Sequence, residues 1–361
     1  MSGSRMSRIL IPLGVVLFAT VGLLLLAGTK PWDPIRLVVE GSIGWPPFEE
    51  GTASKVGDTV MVWVPIALAS AGLIVTFAAG MWNIGIEGQI IMGAIAASLV
   101  AREVTASRPI LVALTILAGA IGGMLWGLLV GVLRTAGGVN EIFGGLGLDF
   151  VALSITTYLI IGPWSRAGQA STSGTDLFPE AALLPSLERS RLSPLGIAIT
   201  LIAIVGVWIL FRGTLYGLKL KAVGANRPSS FLMGIPTNRY LLGAFMICGA
   251  LAGIAGTSQA TGFHFKLIPA ISGNYGFLAI LVVLLARFRA FWVIPISFFF
   301  AMIAVGSSQL DLRLDVSSTL GGVLQGVLVL SAMFGLGWAA YRSRRQMEAA
   351  ALEAAAAEGD S

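Results

Sequence analysis

Ten apolar runs, each nearly free of charged residues, follow one another along this chain of 361 residues. A helix needs about 20 apolar residues to cross the hydrocarbon core of a bilayer, and most of the runs are close to that length. Since every backbone polar group within lipid must be satisfied inside its own segment, such runs fold as helices. The runs are Ile9–Gly28, Val60–Ala79, Gln89–Val100, Ile110–Leu133, Ile142–Ile161, Leu195–Phe211, Tyr240–Gly256, Tyr275–Ala286, Phe291–Val305 and Thr319–Trp338.

The composition agrees with this interpretation, since 56% of the residues are hydrophobic and only 11% are charged. An ordinary soluble domain has about twice that charged fraction. We therefore predict an all-α, polytopic membrane protein with about ten transmembrane helices. The third and eighth runs are shorter than a full membrane span and are flanked by glycine. We predict that their helices are short, broken or re-entrant, a form that is tolerated where it lines a cavity.

The Lys and Arg residues lie beside the apolar runs and form no basic domain, so the net charge of +5 indicates topology and not a nucleic-acid partner. With the amino terminus inside, the most basic short connections also fall inside, so we expect both termini in the cytoplasm. The predicted organisation is a cytoplasmic tail over residues 1–8, a transmembrane domain over 9–340 with a cytoplasmic loop at 212–239, and a second tail over 341–361. The expected location is the plasma or inner membrane.

The segment Asn83–Gln89 places a carboxylate and two amides between two apolar runs. An ionisable group at such depth is costly, which makes it a candidate functional site. If the third helix begins near Trp82, Asn83 and Glu87 share one helix face and Gln89 points roughly the opposite way. Alternatively, Asn83 caps the helix and Glu87 lies in its first turn, a role that still permits a place on a pathway.

A second polar cluster begins with Asn140 and Glu141 and ends with Asp149, inside the fifth run. Eight residues carry Asp149 about 80° around a helix from Glu141, so the two side chains can line adjoining sides of one cavity. Asp149 either contacts a substrate or ion, or makes a buried structural hydrogen bond.

The cytoplasmic loop contains the signals of a short helix. Asn226 suits an N-cap, Pro228 suits a first helical turn and Gly234 suits a stop, which predicts a helix over Pro228–Met233. Such a helix offers a contact for another protein; the alternative is a basic loop that faces anionic lipid.

The fourth run carries glycine at every fourth position, at Gly119, Gly123, Gly127 and Gly131. This spacing forms one smooth stripe on which another helix can pack closely. Packing within the subunit is favoured over a dimer face.

Catalytic and nucleotide-binding signals are weak. No lysine is followed by Ser or Thr, so the chain has no P-loop, and any ATP energy must come from a partner. His264 is the single histidine and Cys248 the single cysteine, which gives little support for a protein-borne metal site or a His-dependent triad. We expect a chain that is not an enzyme and binds no cofactor.

The chain resembles the membrane permeases of ABC importers, in the branch that contains ribose and branched-chain amino-acid permeases. It is most similar to nucleoside permeases, which are also described as simple-sugar permeases. The resemblance lies in Asn83–Gln89, Gly138–Glu141, Gly217–Ile235 and Gly273–Phe277, and it extends from about residue 60 to about residue 340.

This resemblance implies a permease that pairs with a second permease, either a paralogue or the same chain. It also implies two cytoplasmic ATPase subunits, which bind ATP and Mg, and an extracytoplasmic substrate-binding protein. The chain departs from the family pattern in two respects: Ser229 and Ser230 stand where alanines are frequent, and Asp149 stands where an amide is common. The residues expected in the ATPase-coupling loop are Gly217, Lys221, Ala222, Gly224, Asn226, Pro228 and Gly234.

The hypothesis is therefore a permease subunit of an ATP-driven importer for nucleosides or related sugar compounds. Alternatives are a ribose-type ABC permease and an ion-coupled secondary transporter in which Glu87 or Asp149 carries a proton. A membrane-embedded enzyme is disfavoured because no nucleophile with a matching base is found. The candidate pathway residues are Asn83, Glu87, Gln89, Asn140, Glu141 and Asp149.

Overall fold

The structure is a computed structural model that describes residues 32–44, 52–165, 173–187 and 190–307, together with residue 326. The chain divides into two units, one over residues 42–305 and one made of the terminal segments 1–41 and 306–361. The described part of the amino-terminal segment is helix α1, Trp32–Ile43, whose last two residues already belong to the larger unit. The remaining helices lie in the larger unit, and within the described residues no strand occurs.

The larger unit is a bundle of helices, in which the longest connections are 162–193 and 264–274. Its helices are α2 (Thr52–Ala78), α3 (Ile86–Glu103), α4 (Arg108–Thr135), α5 (Glu141–Ile161), α6 (Pro194–Gly213), α7 (Leu215–Ala225), α8 (Arg227–Leu232), α9 (Thr237–Ser258), α10 (Tyr275–Leu285) and α11 (Ala290–Gly306), the last of which ends one residue beyond the unit. Helix α9 continues as a π-helical turn over Gln259–Phe263, and a 3₁₀ turn covers Glu180–Ala182.

Eight of the ten predicted runs lie on described helices. The first and the tenth, Ile9–Gly28 and Thr319–Trp338, fall outside the described residues, so the number of ten stays a prediction. By length and composition, five described helices can cross a membrane: α2, α4, α5, α6, and α9 with its π-helical turn. The apolar helices α10 and α11 are shorter.

The short third run is not a broken helix. It lies inside α3, which is continuous over 18 residues because the polar ends of the helix add to the apolar run. Helix α10, with 11 residues, agrees with the prediction of a short eighth helix.

Burial identifies α2 as the central helix. In its most apolar window, 89% of the residues are buried inside the protein, compared with 28% in α4 and in α5 and 22% in α6. The side chains on the outer surfaces of α4, α5 and α6 are large and apolar, as expected for helices that face lipid.

The glycine stripe of α4 packs within the subunit, as predicted. Gly123 and Gly127 face the backbone of α9 so closely that an added Cβ would clash with it, and a Cβ at Gly119 would clash with the Thr257 side chain of α9. The contact between α4 and α9 is the most extensive between two described helices. Small residues therefore bring the two backbones together at the core of the unit.

Candidate translocation cavity

Asn83 does not cap helix α3. The N-cap is Gly85, which provides no side-chain cap, because the turn before α3 delays the helix until Ile86. Asn83 and Gln89 instead form a reciprocal amide pair, with both nitrogen-to-oxygen distances at 3.1 Å, and Asn83 Nδ2 also donates to Cys248 Sγ at 3.1 Å. The prediction that the two side chains point opposite ways was wrong, since it assumed a helix beginning near Trp82.

Glu87 lies in the first turn of α3, as predicted, and binds the first turn of another helix. One carboxylate oxygen, Oε1, accepts from the backbone nitrogens of Gly276 at 2.9 Å and Phe277 at 3.1 Å. These N–H groups belong to the amino-terminal turn of α10, where backbone donors have no partner inside the helix. Glu87 therefore caps α10 from a neighbouring helix, and only 4% of the residue is exposed.

Asp149 repeats this arrangement one helix further on. Its Oδ1 accepts from the backbone nitrogen of Gly88, in the first turn of α3, at 2.7 Å. A Cβ at Gly88 would stand 2.7 Å from Trp126 Nε1 and 2.8 Å from Asp149 Oδ1, so glycine permits the close approach. The other oxygen, Asp149 Oδ2, is buried and has no hydrogen-bond partner among the described residues.

Glu87 and Asp149 line one cavity of about 270 Å³ between α3, α5 and the segment that leads into α10. Its wall combines polar groups with aromatic and aliphatic side chains. The cavity opens towards the surface of the single chain past Phe150 and Leu153, which are 63% and 41% exposed. The lining residues are Glu87, Ile91, Leu146, Asp149, Phe150, Leu153, Ala270, Ser272, Gly273, Asn274 and Phe277.

The other polar candidates do not line this cavity. Asn83 and Gln89 are fully buried in their own cluster with Cys248. Asn140 is the N-cap of α5 and accepts from the Ile142 nitrogen at 2.9 Å. Glu141 pairs with Arg134 at 3.0 Å. The eight residues that separate Glu141 from Asp149 place the two carboxylates at different depths along α5, and their common role on a pathway stays a prediction.

Several cavity residues carry no signal in the sequence for a place at this site. Ser272 and Asn274 come from the segment before α10, Phe277 lies in the first turn of α10, and Phe150 follows Asp149 on α5. Asn274 has a left-handed backbone with φ of 59°, which turns the chain directly before the helix. The segment Gly273–Phe277 carries only a resemblance to the permease family, and no periodicity indicates that its residues meet Glu87.

The predicted short helix in the loop at 212–239 is present as α8. Asn226 is its N-cap, and its side-chain oxygen accepts from the Ser229 nitrogen at 3.0 Å. Pro228 lies in the first turn, and Gly234 takes the left-handed conformation with φ of 78°, which only glycine adopts readily. Both cap signals were therefore interpreted correctly, with the helix one residue earlier than predicted.

The preceding helix α7 was missed, because two glycines interrupt an otherwise helical pattern. Each glycine allows a close contact: Gly217 lies against the backbone of Leu210, and Gly224 against that of Ala78. Lys221 Nζ donates to the Phe211 carbonyl oxygen at 3.1 Å. Of the other residues expected here, Ala222 also lies on α7.

Among the described residues, no group of three or more His, Cys, Asp or Glu side chains is placed to hold a metal ion.

The comparison with protein families gives a match over most of the chain. Residues 56–333 match the family described as "Branched-chain amino acid transport system / permease component". The matched range includes the cavity and both α7 and α8.

Individual relatives are transporter permeases. The chain is 30% identical over 295 residues to a glucose ABC transporter permease protein of Haloferax volcanii. This alignment covers 78% of this chain and 77% of the relative. It is 27% identical over 336 residues to a guanosine ABC transporter permease protein of Bacillus subtilis, covering 90% and 93%. A nucleoside ABC transporter permease protein of Lactococcus lactis is 26% identical over 266 residues, covering 71% and 73%. A second guanosine ABC transporter permease protein of Bacillus subtilis is 22% identical over 296 residues.

No solved structure matches the chain. The family match over residues 56–333 and the extended similarity to transporter permeases agree with a bundle of helices that can cross a membrane. The chain therefore belongs to the family of permease components of branched-chain amino acid transport systems, and it is a permease subunit of an ABC transporter.

Proposed function

We propose that this permease imports nucleosides, and that the cavity beside Glu87 and Asp149 is part of its translocation pathway. The observation that carries the proposal is the mixed character of the cavity wall. Phe150 and Phe277 present flat apolar rings, whereas Asp149 Oδ2 is a buried acceptor without a partner in the described structure. A nucleoside combines a flat base, which stacks on aromatic rings, with ribose hydroxyls, which donate to carboxylates.

The relatives support this substrate class. The alignment with the guanosine permease of Bacillus subtilis covers nearly the whole of both chains, and the Lactococcus lactis relative is a nucleoside permease. The second candidate is a simple sugar, which the glucose permease of Haloferax volcanii favours. A sugar also donates to carboxylates but has no base to stack, so the two phenylalanines distinguish the candidates.

A second permease subunit completes the pathway in this proposal. The cavity opens at the surface of the single chain past exposed apolar residues, a surface that another helical subunit can cover. Bacillus subtilis has two guanosine permease proteins similar to this chain, which favours a paralogue over a second copy. A substrate-binding protein on the outer side delivers the nucleoside, and the complex lies in the plasma or inner membrane with both termini of this chain in the cytoplasm.

Energy for transport comes from partner ATPase subunits that bind ATP and Mg, and this chain itself is not a catalyst. Helix α8 is the coupling helix of the proposal, since the exposed side chains of Phe231, Leu232 and the C-cap residue Met233 can enter a groove of an ATPase. Helix α7 holds that helix beneath the membrane through Gly217, Lys221, Ala222 and Gly224. The rival is a secondary transporter in which Glu87 or Asp149 carries a proton, and it predicts uptake without an ATPase.

Uptake of radiolabelled guanosine, uridine and ribose by cells with and without this chain tests the substrate class. We expect loss of the chain to abolish guanosine or uridine uptake, and excess unlabelled ribose to leave that uptake unchanged in cells that have it. Loss of ribose uptake alone would assign the chain to sugars. Uptake that persists after deletion of the partner ATPase would support the secondary transporter.

Phe277→Leu and Phe150→Leu test the role of the cavity rings. Each variant removes a stacking surface, so we expect the KM for guanosine to rise about fivefold or more, since stacking on an aromatic ring contributes on the order of 1–3 kcal/mol. Phe143→Leu is the matched control, because Phe143 lies on α5, seven residues before Phe150, and is 74% exposed outside the cavity. An unchanged KM in both cavity variants contradicts base stacking at this site.

Asn226→Ala tests coupling through α8. Losing the N-cap costs about 0.5–2 kcal/mol of helix stability, so we expect reduced uptake and reduced ATPase stimulation at an unchanged amount of folded protein. Asn226→Ser restores a capping oxygen and should recover both activities. Equal uptake by the Ala and wild-type proteins would exclude a role of this cap in coupling.

A further inference from the structure

A second cavity, of about 650 Å³, lies where the end of α6 meets α7 and the turn between α10 and α11. It is separate from the cavity beside Glu87 and Asp149, with which it shares no lining residue. Its wall combines basic side chains with large aromatic rings. The residues that define this basic groove are Trp208, Arg212, Lys221, Arg289, Phe291 and Trp292.

The groove carries positive charge that no carboxylate of the described structure neutralises. Arg212 and Arg289 are exposed, and neither forms an ion pair among the described residues. The Arg212 guanidinium stands 5.4 Å above the centre of the Trp208 ring, and Lys221 Nζ stands 5.3 Å above that of Phe211. The rings hold the cations at the rim of the groove by cation–π contacts.

Three aromatic side chains that line the groove are exposed, as its two arginines are. Phe288, Phe291 and Trp292 are 51%, 50% and 56% exposed in the single chain. Phe291 also packs edge-on against Trp208, with ring centres 5.5 Å apart, so the aromatic surface is continuous from α6 to α11. An apolar surface directly beside unpaired cations fits a ligand with an anionic head and a hydrocarbon tail.

We propose that the basic groove binds one anionic phospholipid, with its phosphate between Arg212 and Arg289. An acyl chain lies along Trp208, Phe291 and Trp292. Charge complementarity selects this occupant, because a zwitterionic lipid brings its own cation to the same rim. Free phosphate would use only the two arginines and leave the aromatic wall uncovered. The site stands apart from the proposed substrate, since it requires neither carboxylate of the translocation cavity.

Tryptophan fluorescence of the full-length protein in phosphatidylcholine nanodiscs tests the site, because Trp208 and Trp292 line the groove. Phosphatidylglycerol or phosphatidylcholine with brominated acyl chains is added, and each quenches tryptophans that it contacts. We expect brominated phosphatidylglycerol to quench at about 25-fold lower mole fraction, since each basic residue contributes about fivefold in affinity for an anionic lipid. Trp208→Phe should remove part of the quenched signal.

The double variant R212Q/R289Q should lose this preference, whereas Lys219→Gln on α7, which removes a charge outside the groove, should keep it. Excess inorganic phosphate should displace no lipid if the acyl chain is bound. Equal quenching by the two brominated lipids in the wild-type protein overturns the proposal. Retained preference in the double variant does the same, as does a quenched signal that Trp208→Phe leaves unchanged.

Discussion

Helix α3 takes part in two regions that pack in opposite ways. On one side α3 and α4 meet α9 where glycines face one another: an added Cβ on Gly93 or Gly123 would clash with the backbone of Gly253. On the other side α3 meets α5 and α10, where two carboxylates bind helix ends and a cavity of about 270 Å³ remains. We call the first region the glycine seam and the second the carboxylate cavity.

The difference follows from where the helices begin. Helices in the glycine seam pass one another along their length, so their backbone groups are satisfied internally and glycine allows direct contact. In the carboxylate cavity, α3 and α10 begin inside the protein, where their first N–H groups need outside acceptors. Asp149 and Glu87 supply those acceptors, and Asp149, which lines the cavity, keeps one buried oxygen without a hydrogen-bond partner among the described residues. Helix starts therefore create the polar site, and uninterrupted helices create the rigid wall behind it.

The largest effect is expected in the glycine seam. Gly253→Leu places a side chain against the backbone of α4 at Gly119 and Gly123, and overpacking of this kind costs about 1–3 kcal/mol or more. We expect the yield of monodisperse protein in detergent to fall about tenfold. Gly206→Leu is the control, because nothing lies within 4 Å of a Cβ at that position of α6. Similar yields for the two variants would show that the protein folds even when the backbones of α4 and α9 are moved apart.

Glu87→Ala should have the next largest effect. It leaves the Gly276 and Phe277 N–H groups without their acceptor, and each unsatisfied buried donor costs about 1–3 kcal/mol. We expect a lower Tm and loss of uptake. Glu87→Gln retains an oxygen acceptor and should recover the Tm. If Ala and Gln lower the Tm equally, the capping contact does not stabilise α10.

The two regions also differ in how much of them the sequence predicts. The four-residue spacing of Gly119, Gly123 and Gly127 predicted one smooth face for close packing, because helical periodicity alone determines which residues share a face. Packing within the subunit was favoured over a dimer face, and the structure agrees. The meeting of Glu87 with Gly276 was not predictable in this way, since 189 residues separate them and the contact depends on the tertiary fold. The error over Asn83 has a local cause: the turn before α3 shifts the helix start by a few residues and changes the side chain's direction.

Within the loop at 212–239, the capping residues predicted the start and the end of a helix more reliably than helix propensity did. Asn226 and Gly234 act through their own backbone neighbours, so the sequence contains the whole interaction. Helix α7 was missed because Gly217 and Gly224 lower helix propensity, and only the contact with neighbouring backbones explains their presence. Interactions between neighbours in the sequence were thus predictable. Glycines that allow tertiary contacts led to the wrong prediction that the segment of α7 is not helical.

Asp149→Asn separates the structural role of this residue from its role in transport. The Asn oxygen can still accept from Gly88, so the Tm should stay close to that of the wild type. The amide nitrogen replaces the unpaired oxygen, and a hydrogen bond to a charged group contributes about 1.5–3 kcal/mol, so guanosine uptake should fall about tenfold or more. Ser154→Ala is the control, because the Ser154 hydroxyl bonds the Phe150 carbonyl of its own helix at an exposed position. Unchanged uptake across substrates and pH would remove Asp149 from the pathway.

The smallest effect concerns the end of the seam helix α9, where His264 follows the π-helical turn. Burial, together with the positive charges of Arg191 and Lys266, lowers the pKa of His264 from 6.5 to about 4. Between these two values the unfolded chain binds a proton that the folded protein does not, so stability is complete above about pH 6.5 and falls as the pH decreases towards 4. His264→Gln removes this contribution, so the Tm of the variant should depend less on pH between 4.5 and 7 than the Tm of the wild type, on the order of a few degrees. Thermal unfolding of both proteins in detergent measures the difference, in which the titration of other groups cancels. Identical slopes would mean that water reaches His264 in the folded protein, and that the closed packing of the seam ends before the π-helical turn.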